Sequence, residues 1–232
     1  MLCFIAGKRV EIAHRFDEIA RLCEHYRISG GEQADLRISL TEEEFLREKS
    51  GAKGFSDGAV ECAAICRKLA YEFTEYDLFL VHGVALECEG RGYLFLGRSG
   101  SGKTTHAKLW EKYFNAEILC GDKPFFSEED GKIYVHSSPW NGKEGYGKRG
   151  KAELSALCLI EQNREIAIDP LSLSERADCL LAQLFLPKEA IALQKTLCFA
   201  DRLTSLPFYR LRCDVSREAA ELSFLALTKK KV

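Results

Sequence analysis

Lys103 and Thr104 close the octet Gly97-Arg98-Ser99-Gly100-Ser101-Gly102-Lys103-Thr104, and the spacing of its glycines and lysine suits one task. Backbone N–H groups free of side chains can converge on one anion, and the lysine adds a point charge at the terminal phosphates. The threonine hydroxyl is a ligand for Mg²⁺, and a helix opening at Thr105 adds a favourable dipole. The predicted chemistry is capture of the phosphates of a nucleoside triphosphate by residues 97–105.

Four other features carry groups that could act on those phosphates. Asp122 follows a strand-like run, 116–120, and Gly121. A carboxylate at such an edge can share a metal with the loop hydroxyl, the reading that the octet favours over plain Gly-Asp turn chemistry before Lys123-Pro124. His82 precedes Gly83 between two apolar runs, as a structural or a catalytic imidazole. Glu161 ends the apolar run 157–160, either facing water or reaching the site. The stretch 139–150 is rich in glycine and charge and carries Trp140, Lys143, Lys148 and Arg149. It reads as a solvated loop or as a mobile cationic lid that grips substrate.

The elements around these residues are legible from period and punctuation. Tyr93-Leu94-Phe95-Leu96 is a short buried strand before the loop, and the helix that follows it begins near Thr105. Strands are expected at 78–82 and 84–88, and Glu89-Gly90-Arg91-Gly92 is too short for a crossover helix. The strand before the loop should therefore run antiparallel to it. Further strands are expected at 116–120, 157–161, 166–168 and 208–213, with a hairpin over 125–136. Helices are expected at 59–73, 174–185, 189–203 and 216–227, the last capped by Ser216. Residues 1–14 and 34–40 read as strands, 16–25 as helix, and Thr41 before three glutamates as a helix start. The glycine-bearing stretch 50–58 reads as the main linker. The expected organisation is a small α/β segment over 1–57 and a core over 58–232. The fold class is α/β (α+β), with a mixed, largely antiparallel nucleotide-binding sheet.

Composition narrows the partners. The chain has 232 residues, a net charge of −2 and a pI near 6.3, so no broad cationic surface for nucleic acid is expected. Its ten cysteines lie in apolar stretches without C-x-x-C spacing, and they read as small core residues in a reducing, cytoplasmic setting. No apolar run reaches membrane-spanning length, and no membrane partner is expected.

Together, His82-Gly83-Val84, the octet, Gly121-Asp122 and Glu161 resemble the HPr kinase/phosphorylase family, whose core is similar to that of phosphoenolpyruvate carboxykinases. The runs Ser138-Pro139-Trp140-Asn141-Gly142-Lys143 and Pro207-Phe208-Tyr209-Arg210-Leu211-Arg212-Cys213 resemble small bacterial HPr-kinase-like proteins of unassigned substrate. The resemblance implies an ATP- and Mg²⁺-dependent kinase acting on a serine-type hydroxyl of a protein, peptide or small metabolite. By position, Lys103 would hold phosphates, Thr104 and Asp122 a metal, Glu161 a second metal position, and His82 the transferred phosphoryl group. The family has two adjacent aspartates where this chain has Gly121-Asp122, and the first is its general base. Here Asp122 does both jobs, another group serves, or the chain is a degenerate nucleotide-binding regulator. A carboxykinase-like activity is a further alternative. Gly121→Asp is the substitution that would restore the pair.

Overall fold

The alternation at the start of the chain becomes a small sheet. A computed structural model describes residues 1–29, 33–142 and 145–229. In it, β1 (Leu2–Ile5) and β2 (Lys8–Ile12) pair antiparallel, and α1 (Asp17–Leu22) leads towards β3 (Leu36–Ile38), which lies parallel to β2. Thr41 starts α2 (Glu42–Gly51) as expected: its hydroxyl accepts from the Glu44 N–H, and Glu44 accepts from the Thr41 N–H. The stretch read as a linker, 50–58, holds a five-residue connection, 52–56, between two helix ends. Ser50 and Gly51 finish α2, and Ser56 caps α3 (Asp57–Glu72) by accepting from the Ala59 N–H.

Next come β4 (Phe79–Leu80), β5 (Val84–Cys88) and β6 (Arg91–Leu96). The last two form the expected hairpin. Glu89 and Gly90 both sit at positive φ (53° and 76°), the two-residue turn whose twist matches its strands. α4 (Lys103–Phe114) follows the octet, and β7 (Glu117–Cys120) then pairs with β5. β8 (Phe125–Glu129) and β9 (Lys132–His136) form a second hairpin. β10 (Lys151–Gln162), β11 (Ala167–Pro170), α5 (Leu173–Leu181), α6 (Ala190–Thr204), β12 (Phe208–Cys213) and α7 (Arg217–Thr228) complete the chain.

The large sheet runs β4-β8-β9-β10-β6-β5-β7, with β12 and then β11 branching from β10. Only β6–β10 and β10–β12 pair in parallel, so among the described residues the sheet is mixed and largely antiparallel. β10 forks it. Along one edge β10 meets β9 at Lys151, Ala152 and Glu153, then β12 from Leu157 onward; β6 takes the other edge. The strand starts at Lys151, ahead of the expected 157–161, because Ala152 and Leu154 turn inward while Glu153 and Ser155 are half-exposed.

β6 is buried on both faces, which explains its unbroken apolar run. Tyr93 and Phe95 pack with Ala107 and Trp110 of α4 and Ala219 of α7; Leu94 and Leu96 pack with Leu180, Phe199 and Leu203 of α5 and α6. A third cluster joins the small sheet to Ile65, Leu69 and Phe73, with Phe125 and Trp140. All ten cysteines are free thiols, most of them buried. Among the described residues no helix is long and apolar enough to cross a membrane.

Candidate active site

The octet leaves β6 through a glycine that nothing else could replace. Gly97 sits at φ 138°, and a Cβ there would stand 2.6 Å from Ser101 Oγ and 2.8 Å from the Ile160 carbonyl. Lys103 opens α4 and is buried. Its ammonium donates to the carbonyls of Gly97 (2.8 Å) and Arg98 (3.0 Å). Burial lowers its pKa, and the Asp122 carboxylate acts in the opposite direction. Ser101 Oγ is buried with no hydrogen-bond partner. A buried ammonium held only by loop carbonyls, beside an orphaned hydroxyl, is a donor set that fits an incoming oxyanion.

The loop lies between two cavities. Arg98, Ser99 and Gly100 are exposed and line one of about 710 Å³ together with Glu161, Gln183 and Arg210. Thr105 lines the other, about 400 Å³, with Leu109, Ile160 and Val215. Thr104 is half-buried on the first turn of α4.

Asp122 stands past the end of β7 and is held on both oxygens. His82 Nε2 donates to Oδ1 at 3.1 Å, and Lys123 Nζ donates to Oδ2 at 2.5 Å. Burial would raise this carboxyl; the hydrogen bonds from His82 and Lys123 and the lysine charge outweigh it and hold its pKa below the ordinary range. Backbone fixes the pair too: Gly83 N–H donates to the Asp122 carbonyl (2.8 Å) and His82 N–H to that of Gln183 (2.8 Å). Gly83 is required because a Cβ there would lie 2.9 Å from the Phe95 carbonyl and 2.8 Å from Leu94 Cδ1. Lys103, His82 and Asp122, distant in sequence, thus gather beside β6.

Gly121 has a reason of its own. A Cβ at this position would meet the carbonyl oxygens of Asn141 at 2.6 Å and Tyr146 at 2.8 Å, and its N–H donates to Asn141 Oδ1 at 3.2 Å. Backbone of the 138–150 loop lies where a side chain of residue 121 would begin. Gly121→Asp therefore cannot restore a carboxylate pair without displacing that loop.

The loop is pinned along its described length. Ser138 Oγ donates to the Lys123 carbonyl (2.6 Å), Lys123 N–H donates to that of Trp140 (3.1 Å), and Lys148 N–H donates to that of Ile118 (3.0 Å). The Trp140 indole is 6% exposed and donates to the Cys62 carbonyl at 3.0 Å, so it anchors the loop to α3. Lys148 pairs with Glu117 at 2.7 Å, and Arg149 donates to the His25 carbonyl at 3.3 Å on the side of the small sheet. Neither cation lines the octet's cavities. Among its described residues the stretch read as a solvated loop or a lid is a strap tethered by a buried indole and by backbone bonds. Lys143 lies outside the described residues.

Glu161 lines the loop cavity but is engaged with Arg210 (3.3 Å), which also pairs with Glu175 (3.0 Å). Among the described residues no cluster of three His, Cys, Asp or Glu side chains could hold a metal. A Mg²⁺ ion here would depend on Thr104, Asp122 and phosphate oxygens, the sparse protein ligation usual for this ion. Sequence reasoning gave no role to Lys123, to Asn141, which it met only within the run 138–143, or to Gln183. Lys123 was adjacent to Asp122 and detectable as a counter-charge, whereas the other two act across the fold, where residue type alone does not name their partners.

No protein-family model matches the chain, and no curated protein matches it. Among solved structures, the HPr(Ser) kinase/phosphatase from Coxiella burnetii is similar over 65% of this chain and 97% of that one, at 8% identity and a TM-score of 0.38. A likeness that loose assigns nothing to this chain.

Proposed function

We propose that this chain is a phosphotransferase that moves the γ-phosphoryl group of ATP to a serine-type hydroxyl of a protein, peptide or small metabolite. The observation that carries the reading is the convergence of the buried Lys103 ammonium with the His82–Asp122 pair beside a glycine loop. Lys103 exchanges its two loop carbonyls for phosphate oxygens, gaining charge-assisted bonds at little reorganisation cost. Thr104 and Asp122 would hold Mg²⁺, whose charge when bound offsets that on the phosphates.

The missing first aspartate calls for another proton acceptor, and His82 fits. With Nε2–H donating to Asp122, the ring would use Nδ1 to take the acceptor hydroxyl's proton. Asp122, a weak base below its ordinary pKa, orients the ring and steadies the charge it acquires. The acceptor oxygen bonds to the γ-phosphorus, the bond to the bridging oxygen breaks, and the diphosphate leaves with that electron pair. A loose transition state asks more for positioning and charge than for a strong base.

The test is label transfer from γ-labelled ATP to a panel of hydroxyl acceptors, for the chain, Lys103→Ala and His82→Asn. Lys103→Ala should fall by a factor on the order of 10²–10³. His82→Asn should fall on the order of 10²–10⁴ while nucleotide affinity holds. Equal transfer by the chain and Lys103→Ala ends the proposal. A second reading, a nucleotide-binding regulator, draws on the occupied space above Gly121. It predicts Mg·ATP binding with no transfer to any acceptor.

A further inference from the structure

Away from the loop, a cleft of about 790 Å³ opens between the small sheet and the β8–β9 hairpin. Its charges are unevenly matched. Three carboxylates line it, and each has its own cation: Glu129 pairs with Lys151, Glu128 with Arg202 and Asp77 with Lys195. Two lining cations, Lys8 and Arg149, make no ion pair within 4 Å among the described residues; the carboxylate within electrostatic reach of Lys8, Asp35, is already paired with Arg9 at 3.0 Å. Instead they lie against rings: Lys8 Nζ is 4.5 Å from the Tyr76 centroid, and the Arg149 guanidinium is 5.9 Å from that of Phe4 and 5.7 Å from that of Tyr26. Aromatic faces hold these charges in place without neutralising them.

The cleft also has polar groups with hydrogen-bonding capacity to spare. Tyr26 is 5% exposed, and its buried hydroxyl, beside Ser137, makes no hydrogen bond of ordinary geometry. Ser137 is 4% exposed; its Oγ accepts from the Gly150 N–H at 2.9 Å, which leaves its own proton to give. An orphaned buried hydroxyl is costly, and Tyr26 Oη, on the ring that Arg149 faces, gains a partner when an anion enters the cleft. His136 completes the wall as a neutral imidazole tied to Ser127 at 2.8 Å.

We propose that this cleft binds a small molecule through a phosphoryl or carboxylate group, with Lys8, Arg149, Tyr26 Oη and Ser137 Oγ as its donors. The site is separate from the nucleotide cavity and does not rest on the phosphotransfer reading. It lies at the neck of the strap, where Ser137 N–H also donates to the Gly150 carbonyl at 3.0 Å; the strap's other end covers Gly121. An anion held there bears on the segment whose Asn141 and Tyr146 carbonyls lie over Gly121.

The test is calorimetric titration of the full chain with inorganic phosphate, and in parallel with acetate, in four proteins. The unaltered chain should show two classes of site for at least one of the probes. Lys103→Ala should remove one and keep the other. Lys8→Gln combined with Arg149→Gln should remove the second, and Tyr26→Phe, which keeps the ring packing, should weaken it about tenfold. The stronger of the two probes identifies the ligand class. If the paired glutamine variant and Tyr26→Phe bind both probes like the unaltered chain, the cleft is not an anion site. Failure of the octet would show instead as no change in Lys103→Ala, so the two outcomes are distinguishable.

Discussion

Replacing Gly121 by alanine tests the packing that distinguishes this site. The added methyl would stand 2.6 Å and 2.8 Å from two carbonyl oxygens. Those atoms are backbone of a strap fixed by Trp140, Ser138 and Lys148, so no flexible side chain can swing aside. Overpacking of this kind costs about 1–3 kcal/mol. For a domain of this size each kcal/mol lowers Tm by roughly 2–4 °C, so the expected drop is roughly 2–12 °C. Gly51→Ala is the internal control: it has no positive φ and nothing within 4 Å of the new methyl, and should be neutral or stabilise by about 0.4–1 kcal/mol. Thermal melts of both variants, with hydrogen exchange across 138–150, read the effect and its location. Gly121→Asp should destabilise at least as much as alanine and transfer phosphate no better than the unaltered chain. An alanine variant with an unchanged Tm and unchanged exchange in the strap would refute the packing argument. So would a gain of transfer in the aspartate variant.

Three further outcomes follow from the same geometry. Asp122→Asn removes the charge that Lys123 and His82 share, so the ATP Kd measured with and without Mg²⁺ should converge, while transfer falls on the order of 10²–10³; an undiminished Mg²⁺ effect would contradict this. His106 and His136 are buried, and burial lowers each pKa to about 4. The unfolded imidazoles take a proton near pH 6.5 and the folded ones refuse it, so stability is full above pH 6.5 and declines as pH falls towards 4. The loss is up to about 3 kcal/mol per histidine, and urea unfolding at pH 7.5 and 5 that gave equal stabilities would count against it. Trp140→Phe removes the indole bond to the Cys62 carbonyl, which keeps its donor within α3, and should cost about 0.5–1.5 kcal/mol in urea unfolding, with ATP affinity unchanged.

What the sequence determined by itself was local. A glycine-rich octet between a buried strand and a helix, a two-residue turn at Glu89-Gly90, and the caps Thr41 and Ser216 all act within a few residues. Their chemistry is therefore written in adjacent letters. The antiparallel relation of β5 and β6 followed from a turn too short to cross over, and the candidate trio Lys103, His82 and Asp122 was legible from residue type beside those elements. Tertiary structure decided the rest. It put Trp140 in a core it shares with α3, sent Arg149 to a separate cleft, bound Glu161 to Arg210 and forked the sheet at β10. It also showed that Gly121 is a point of contact, where sequence suggested only a lost carboxylate. Each of these depends on distances between segments far apart in the chain. Period and turn chemistry fix which way a side chain points along its own strand or helix, but not what it meets there.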